Sequence, residues 1–256
     1  MVPASADADT AVNAQIPRQA AAAPAMMGIG KAIADACVKA GATVLYHGAT
    51  ESEKLIKAAE AAQSPYVAGD LSKPEEVNIL ADNVRRILGN VDVLILNGSV
   101  QSYTGIDNFT AEEFNRQMQT NVASCFQLIG AFAPGMMENN WGRIIAISSI
   151  NQIRPADRLG IYATTKAALA NLMLTTAKKY ASWGITANTV LPGVIETDRN
   201  AQVLSNKEFA DNLRESIPAK RFGTPDDCAG IALFLASDAA GYVTGAEIPV
   251  AGGMQL

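Results

Sequence analysis

Short apolar runs alternate with longer stretches of helical period along the chain from about residue 28 onward. In the run 91–96 nearly every residue is apolar, as expected for a strand covered on both faces. Strands that alternate with helices are typical of repeated βα units around a parallel sheet. The pattern predicts strands at 43–46, 65–67, 91–96, 143–147, 186–190 and 247–250, helices at 29–40, 52–62, 74–88, 111–138, 161–182 and 225–236, and a looser helical segment at 200–215.

The beginning of the chain fits this pattern least. A sheet of this kind needs a strand before the first helix, but Ala20–Ala23 and Pro24 stand where Val, Ile or Leu would be expected. No repeat or low-complexity linker divides the remainder. We therefore expect an α/β protein with a single doubly wound parallel-sheet domain over 16–256, preceded by a disordered extension over 1–15.

Charge and composition exclude several function classes. The chain has 25 Asp and Glu against 20 Lys and Arg, a net charge of -5, so neither nucleic acid nor anionic lipid has a basic surface to bind. No segment approaches the roughly 18 uninterrupted apolar residues of a membrane span. Asp7 and Asp9 argue against a secretory or mitochondrial leader, which favours a cytoplasmic location.

The cysteines and the lone histidine point away from metal and disulfide chemistry. Cys37, Cys125 and Cys228 are odd in number and widely spaced, and are interpreted as small buried hydrophobes. His47 is the only histidine, so no metal site and no histidine-based triad is expected. We interpret His47 as an exposed residue near the end of a strand.

Three residues suggest a site for a carbonyl or alcohol. Tyr162 and Lys166 stand four apart at the start of a predicted helix, which places both side chains on one face. Ser149 follows the apolar run 144–147, and the carboxyl end of a parallel strand is where such sheets bind ligands. The spacing of the Tyr and Lys alone is weak support, because it arises easily by chance.

Further motifs in the same order make the chain similar to a short-chain dehydrogenase/reductase over about residues 28–256. The resemblance implies a Rossmann-like fold and an NAD(P)-dependent oxidoreductase that interconverts a secondary alcohol and a ketone. It rests on Gly28-Ile29-Gly30, Asp70-Leu71, Asn97-Gly98, Asn121, Ser149, Tyr162-Ala-Thr-Thr-Lys166, Pro192-Gly193-Val-Ile-Glu-Thr197 and the tail SDAAGYVTGAEIPVAGGM.

The resemblance implies a role for each of four catalytic residues. Tyr162 would exchange a proton with the substrate oxygen, and because a phenol titrates near 10 it needs a nearby cation, which Lys166 supplies. Ser149 would position the substrate oxygen. Asn121 would open a helix locally so that a water connects Lys166 to solvent.

The resemblance also implies a nucleotide pocket, without saying whether it takes NAD or NADP. Ala23 and Pro24 replace the Thr and first Gly of the family's glycine loop, and proline lacks both the N–H and the conformational freedom of glycine, which would weaken nucleotide binding. A charged residue usually determines the choice between NAD and NADP at three positions, which are occupied here by Gly48, Ala49 and Met27. The implied contacts are Gly28, Ile29, Gly30, Asp70, Leu71, Asn97, Gly98, Tyr162, Lys166, Pro192, Gly193 and Thr197.

Polar residues near the site favour a small hydroxylated substrate. Gln101, Asn151 and Gln152 could hydrogen-bond several hydroxyl groups, an arrangement similar to family members that act on sugars, polyols or sugar acids. A 3-oxoacyl-thioester reductase is the alternative. A non-redox protein of the same fold, with impaired cofactor binding, is a second alternative.

The resemblance has implications for assembly and movement. Family members pair the two long helices, here 111–138 and 161–182, so a homotetramer or homodimer is expected, and Leu169, Leu172 and Met173 would suit either that contact or the core. The segment 194–215 would form a mobile lid over the substrate.

Overall fold

One seven-stranded parallel sheet organises the computed structural model, which describes residues 19–22 and 27–256. The strands are β1 (Gln19–Ala22), β2 (Thr43–Gly48), β3 (Tyr66–Ala68), β4 (Val93–Leu96), β5 (Gly142–Ile147), β6 (Ile185–Pro192) and β7 (Glu247–Val250). Their order is β3-β2-β1-β4-β5-β6-β7, and neighbouring strands are parallel throughout. The order therefore reverses between β1 and β4, where doubly wound sheets bind ligands.

The alanine-rich segment forms the strand that the sequence pattern did not support. β1 pairs with β2 on one side and with β4 on the other, with Ala20 opposite both Val44 and Val93. Hydrogen bonding to two neighbours in the middle of a sheet outweighs the low strand propensity of alanine. The six predicted strands are all present. The extension 1–15 and the substituted loop positions Ala23 and Pro24 lie outside the described residues.

Helices cover both faces of the sheet, at or close to their predicted positions. The predicted helix 111–138 is interrupted by a π-helical segment at Gln119–Ala123. The looser segment 200–215 forms two helices. The helices are α1 (Gly28–Lys39), α2 (Glu53–Ala61), α3 (Pro74–Leu88), α4 (Ala111–Met118), α5 (Ser124–Glu138), α6 (Gly160–Tyr180), α7 (Asp198–Leu204), α8 (Lys207–Ser216) and α9 (Pro225–Ala236).

Two hydrophobic cores lie on opposite faces of the sheet. Alternate residues of β4 enter different cores: Leu94 packs with α3, α5 and α6, whereas Val93 packs with α1, α2 and α9. This two-sided burial explains why the strand is apolar at every position. The three cysteines are free and buried, as predicted. Among the described helices none has the length and apolar character to cross a bilayer.

His47 is buried, so its interpretation as an exposed residue was wrong. It pairs with Val67 across β2 and β3, and only 2% of its surface is exposed. Burial lowers the pKa of its imidazole to about 4. The ring is therefore neutral near pH 7, and Nε2 donates to the Gly69 carbonyl oxygen at 2.8 Å. We assign it a structural role on β2, next to the edge strand β3.

Candidate active site

A cavity of about 700 Å³ opens at the carboxyl ends of the central strands. Its wall includes Met27 before α1, Asn97 after β4, Ser149 after β5 and Thr197 after β6. Helices α7 and α8 cover it with both polar and apolar side chains. The sheet therefore brings residues that are far apart in sequence to the location that the topology predicts for a ligand.

Tyr162 and Ser149 share the wall of this cavity, and Lys166 lies behind them. Tyr162 is 4% exposed and Lys166 is 1% exposed. Both are on α6, and the Lys166 ammonium lies 5.5 Å from the centre of the Tyr162 ring. Lys166 Nζ donates to the carbonyl oxygen of Ile147 at 3.0 Å, which fixes its position at the end of β5.

The surroundings of these groups shift their proton affinities in opposite directions. Burial, and to a smaller extent the positive charge of Arg199, lowers the pKa of Lys166 to about 7. Burial raises the pKa of Tyr162, while Arg199 and a hydrogen bond with Ser149 act against that rise. The site therefore holds a protonated phenol close to two basic groups.

Ser149 is positioned by the turn that follows β5. Its side-chain oxygen accepts hydrogen bonds from the backbone N–H of Asn151 at 3.1 Å and from Asn151 Nδ2 at 3.2 Å. The hydroxyl hydrogen takes no part in either bond. Ser149 is thus fixed as the cap of a short helical turn and can still donate to a ligand oxygen.

Asn121 lies in the π-helical segment, at the place where the family resemblance implied a local opening of the helix. Its side chain joins two other segments: Oδ1 accepts from Val100 N at 2.8 Å, and Nδ2 donates to Val100 O at 2.9 Å. Nδ2 also contacts Thr165 Oγ1 at 3.0 Å, next to Lys166 on α6. A π-helix inside a longer helix is common at functional sites.

The N-terminus of α1 has the features of a phosphate-binding site. Gly28 has a φ of +59°, and a Cβ there would approach Thr197 Cγ2 to 3.2 Å, so a side chain would be strained and crowded. Met27 precedes the helix without a capping hydrogen bond, and the first turn has no acidic residue. The backbone N–H groups at this end are therefore suited to an anion such as a pyrophosphate.

The comparisons with known proteins agree with this geometry. A family profile described as enoyl-(acyl carrier protein) reductase matches residues 23–255. The 3-oxoacyl-[acyl-carrier-protein] reductase of Salmonella typhimurium is 34% identical over 233 residues, which are 91% of this chain and 95% of that protein.

Two solved structures have the same fold over nearly the whole chain. The NADP-bound 3-oxoacyl-(acyl-carrier-protein) reductase of Agrobacterium tumefaciens has a TM-score of 0.90 at 32% identity, covering 94% of this chain and 96% of that one. The chain belongs to the short-chain dehydrogenase/reductase family. The gluconate 5-dehydrogenase of Burkholderia cenocepacia, in complex with NADP and tartrate, has a TM-score of 0.89 at 28% identity, covering 95% of this chain and 98% of that one.

As a short-chain dehydrogenase/reductase, the chain is an NAD(P)-dependent oxidoreductase that acts on CH–OH groups. Seven of the twelve expected nucleotide contacts line the main cavity. Gly193 follows β6, and a Cβ there would come within 2.9 Å of Ala251 Cα, so the close approach of the two segments requires glycine. Gly28, Ile29, Asn97, Tyr162, Pro192, Gly193 and Thr197 line the main cavity, while Gly30, Asp70, Leu71, Gly98 and Lys166 do not.

The three residues expected to contact the substrate do not all line the cavity. Gln101 and Asn151 line the cavity, close to Ser149 and Tyr162 in its wall. Gln152 does not, and its Oε1 instead accepts a hydrogen bond from the Ser148 hydroxyl at 2.6 Å. The structure therefore brings two of the three to the site.

Sequence reasoning missed two basic residues at this site, Arg199 and Lys54. Arg158 and Arg199 line the cavity. Lys54 Nζ lies 3.2 Å from the sulfur of Met27. A cation therefore lies beside one of the positions at which a charged residue usually determines whether a family member binds NAD or NADP. Arg158 lies within the polar loop between Ser149 and Tyr162, which the sequence already places near the site. Nothing in the local sequence marked Lys54 or Arg199.

Proposed function

We propose that this short-chain dehydrogenase/reductase interconverts a ketone and a secondary alcohol on a small hydroxylated substrate, using Tyr162, Ser149, Lys166 and Asn121. The observation that carries the proposal is the meeting of the Tyr162 and Ser149 side chains in one cavity wall, with the buried Lys166 behind them. A substrate oxygen placed between the two hydroxyl groups would meet one proton donor and one positioning group.

Tyr162 acts as the proton donor to the carbonyl oxygen during reduction and accepts the hydroxyl proton during oxidation. Lys166 favours the ionised phenol through its charge when it is protonated. Ser149 donates to the substrate oxygen and orients it. Asn121 holds the segment around Val100 against α6 through its contact with Thr165, and keeps the helix open beside Lys166.

The residues present fit a nicotinamide dinucleotide. The N-terminus of α1, whose N-cap residue Met27 makes no capping hydrogen bond, suits its pyrophosphate, and glycine at position 28 leaves room for it next to Thr197. Lys166 would hold the nicotinamide ribose, and Thr197 the carboxamide. When bound, the nucleotide supplies or accepts the hydride.

We further propose that NADP(H) is preferred over NAD(H), because of Lys54. Its ammonium lies beside Met27 and 3.8 Å from the carboxylate of Asp198, on an exposed side chain that can turn to a phosphate. NADP is present in both of the similar structures described above. A cation at this place would favour the extra phosphate of NADP(H).

Lys54→Glu is expected to weaken NADPH binding at least about tenfold, because it removes an attractive charge and introduces a repulsive one near the phosphate. NADH affinity is expected to stay within about threefold. Titration followed by nicotinamide fluorescence measures both constants. The control is Lys57→Glu on the same helix, where the lysine pairs with Glu53 at 3.2 Å instead. Equal losses for NADPH and NADH would contradict the assignment.

The cavity favours a hydroxylated substrate over an acyl thioester. Gln101, Asn151 and three arginines line it, so a polar molecule finds several donors there. The gluconate 5-dehydrogenase complex with tartrate, a hydroxylated acid, supports this proposal. The 3-oxoacyl-thioester reductase is the second candidate, favoured by the 34% identity to an enzyme of that name.

A substrate screen with NADPH and NADP⁺ tests the proposal. Purified protein is assayed at 340 nm with polyols, sugars, sugar acids and their keto forms, and in parallel with acetoacetyl-CoA. We expect turnover of at least one hydroxylated compound with a kcat/KM above that for acetoacetyl-CoA. Preference for the thioester would select the second candidate. Nucleotide binding without turnover of any compound in the set would refute the proposed function.

An assembly of identical subunits is also proposed, through α5 and α6. Leu169, Leu172 and Met173 are buried in the core of the chain and are not available for such a contact. Phe126 on α5 and Leu174 on α6 are instead 59% and 46% exposed. These two apolar side chains support pairing of the long helices between copies of the chain.

A further inference from the structure

The cavity wall is more basic than the chain as a whole. Arg154, Arg158 and Arg199 line it, and Asp198 is the one acid among its described lining residues. Asp198 itself faces the ammonium of Lys54 at 3.8 Å. The excess of positive charge is unexpected for a protein whose net charge is -5. It indicates a ligand with negative charge in addition to hydroxyl groups.

Two of the three arginines already donate hydrogen bonds within the protein. Arg199 donates from Nη1 to Ser99 Oγ at 3.1 Å and from Nη2 to the Ser99 carbonyl oxygen at 2.8 Å. Arg154 donates from Nη1 to the carbonyl oxygens of Met254 and Leu256. Both therefore hold segments of the chain together around the cavity.

Arg158 is held in a different way. Its guanidinium carbon lies 5.2 Å from the centre of the Tyr103 ring and 5.7 Å from that of Phe209. Contacts with aromatic rings engage the face of a guanidinium and leave the N–H groups at its edge. Among the described residues its side-chain nitrogen atoms have no hydrogen-bond acceptor.

The three residues of this cluster come from three different segments. Tyr103 belongs to the loop after β4, Arg158 to the loop between β5 and α6, and Phe209 to α8, which covers the cavity. Although all three side chains are exposed, the contacts with the two rings favour one position of the long arginine side chain before any ligand arrives. A restricted guanidinium loses less freedom on binding than a mobile one, and its planar edge matches a carboxylate.

We propose that the substrate is a hydroxy acid or its oxo form, and that the guanidinium edge of Arg158 binds its carboxylate. This inference rests on the proposed redox function, because Ser149 and Tyr162 must meet the reacting oxygen in the same cavity. Gln101 and Asn151 remain to hydrogen-bond the hydroxyl groups between the two ends. Arg199 adds positive charge next to the reacting centre.

The test compares acids with neutral compounds that differ only at the carboxylate. Wild-type protein, Arg158→Gln and Arg158→Lys are assayed with NADP⁺ and NAD⁺ on aldonic, aldaric and short hydroxy acids and on the matching polyols, gluconate against sorbitol for example. The control is Arg86→Gln, an exposed arginine on α3 that contacts Asn83 at 3.0 Å. Acetoacetyl-CoA is included as a phosphate-bearing substrate.

We expect wild-type kcat/KM to be higher for the best acid than for its polyol. Arg158→Gln should lower kcat/KM for the acid about 100-fold, mainly through KM, and change that for the polyol less than about threefold. The kcat/KM of Arg158→Lys for the acid should lie between the values of the wild type and Arg158→Gln, because lysine keeps the charge and loses the planar pair of donors. Binding of the acid should raise the melting temperature of the wild-type nucleotide complex, which can be measured without turnover. Arg158→Gln should abolish this increase.

Other outcomes overturn the inference in distinguishable ways. Equal losses for acid and polyol in Arg158→Gln would make Arg158 a structural residue. Turnover of polyols in preference to every acid would refute the carboxylate site at Arg158 without contradicting the proposed redox function. Preference for acetoacetyl-CoA, weakened by Arg158→Gln, would assign the arginine to the phosphates of a thioester. Absence of all turnover despite nucleotide binding would refute the proposed function as well.

Discussion

Tyr162→Phe is expected to lower kcat about 10³-fold, the effect of losing a general acid and base. The substitution removes only the hydroxyl, and the ring keeps its place in a wall where 4% of the residue is exposed. Nucleotide affinity should stay within about threefold, because the phenol is not needed for the pyrophosphate site at α1. Initial rates at saturating substrate and a fluorescence titration with NADPH measure the two quantities.

The matched control is Tyr242→Phe, which removes the same atom from a fully exposed tyrosine. It should leave both the rate and the affinity unchanged. A Tyr162→Phe protein that keeps more than a tenth of wild-type kcat would exclude the phenol as the proton donor. Loss of nucleotide binding and of the rate together would indicate a disturbed pocket instead.

Lys166→Met is expected to abolish turnover and yet raise the free energy of unfolding by about 2–3 kcal/mol at pH 7. The pKa of Lys166 is about 7 in the folded protein, against a usual value of 10.5. Since the unfolded chain binds this proton more tightly, keeping the amine buried destabilises the fold by about 4 kcal/mol near neutral pH. Methionine has a similar length and removes that cost, while the lost hydrogen bond to Ile147 cancels about 1–2 kcal/mol of the gain.

The sign of the pH dependence identifies the cause. Between pH 7 and pH 10 the unfolded lysine is still protonated and the folded one is neutral, so wild-type stability gains from this group as the pH rises. The advantage of Lys166→Met should therefore be largest at pH 7 or below and vanish near pH 10. Chemical denaturation at several pH values measures it. Lys178→Met, at an exposed position of the same helix, should show no such trend. A constant difference across this range would show that burial of the amine is not its cause.

The arrangement of strands and helices was largely predictable from the sequence. Strands covered on both faces are apolar at every position, as Val93 and Leu94 show by entering opposite cores. The first strand was not predictable, since alanine has little preference for a strand. It forms because the sheet supplies a hydrogen-bonded neighbour on each side. This information lies in β2 and β4 and is absent from residues 19–22.

The site was predictable where short-range spacing determines it and not where long side chains do. Tyr162 and Lys166 share a helix face because they stand one turn apart, which the sequence displays directly. Lys54 reaches Met27 from 27 residues away, and Arg158 meets rings from two other segments. Flexible cations can point in many directions from a given backbone position. Their partners therefore became known only from the three-dimensional arrangement.

The π-helical segment at Gln119–Ala123 also determines how α4 and α5 are phased. A π-helix holds one residue more per turn than an α-helix would, and each residue of an α-helix turns about 100° around the axis. Deleting one residue there would restore a continuous helix and rotate α4 by about that angle relative to α5. Asn121 would then leave Thr165 and the loop at Val100, while the apolar face of α5 stayed in the core. Insertions and deletions are therefore excluded from this short segment by geometry, although it lies within one of the longest helical stretches of the chain.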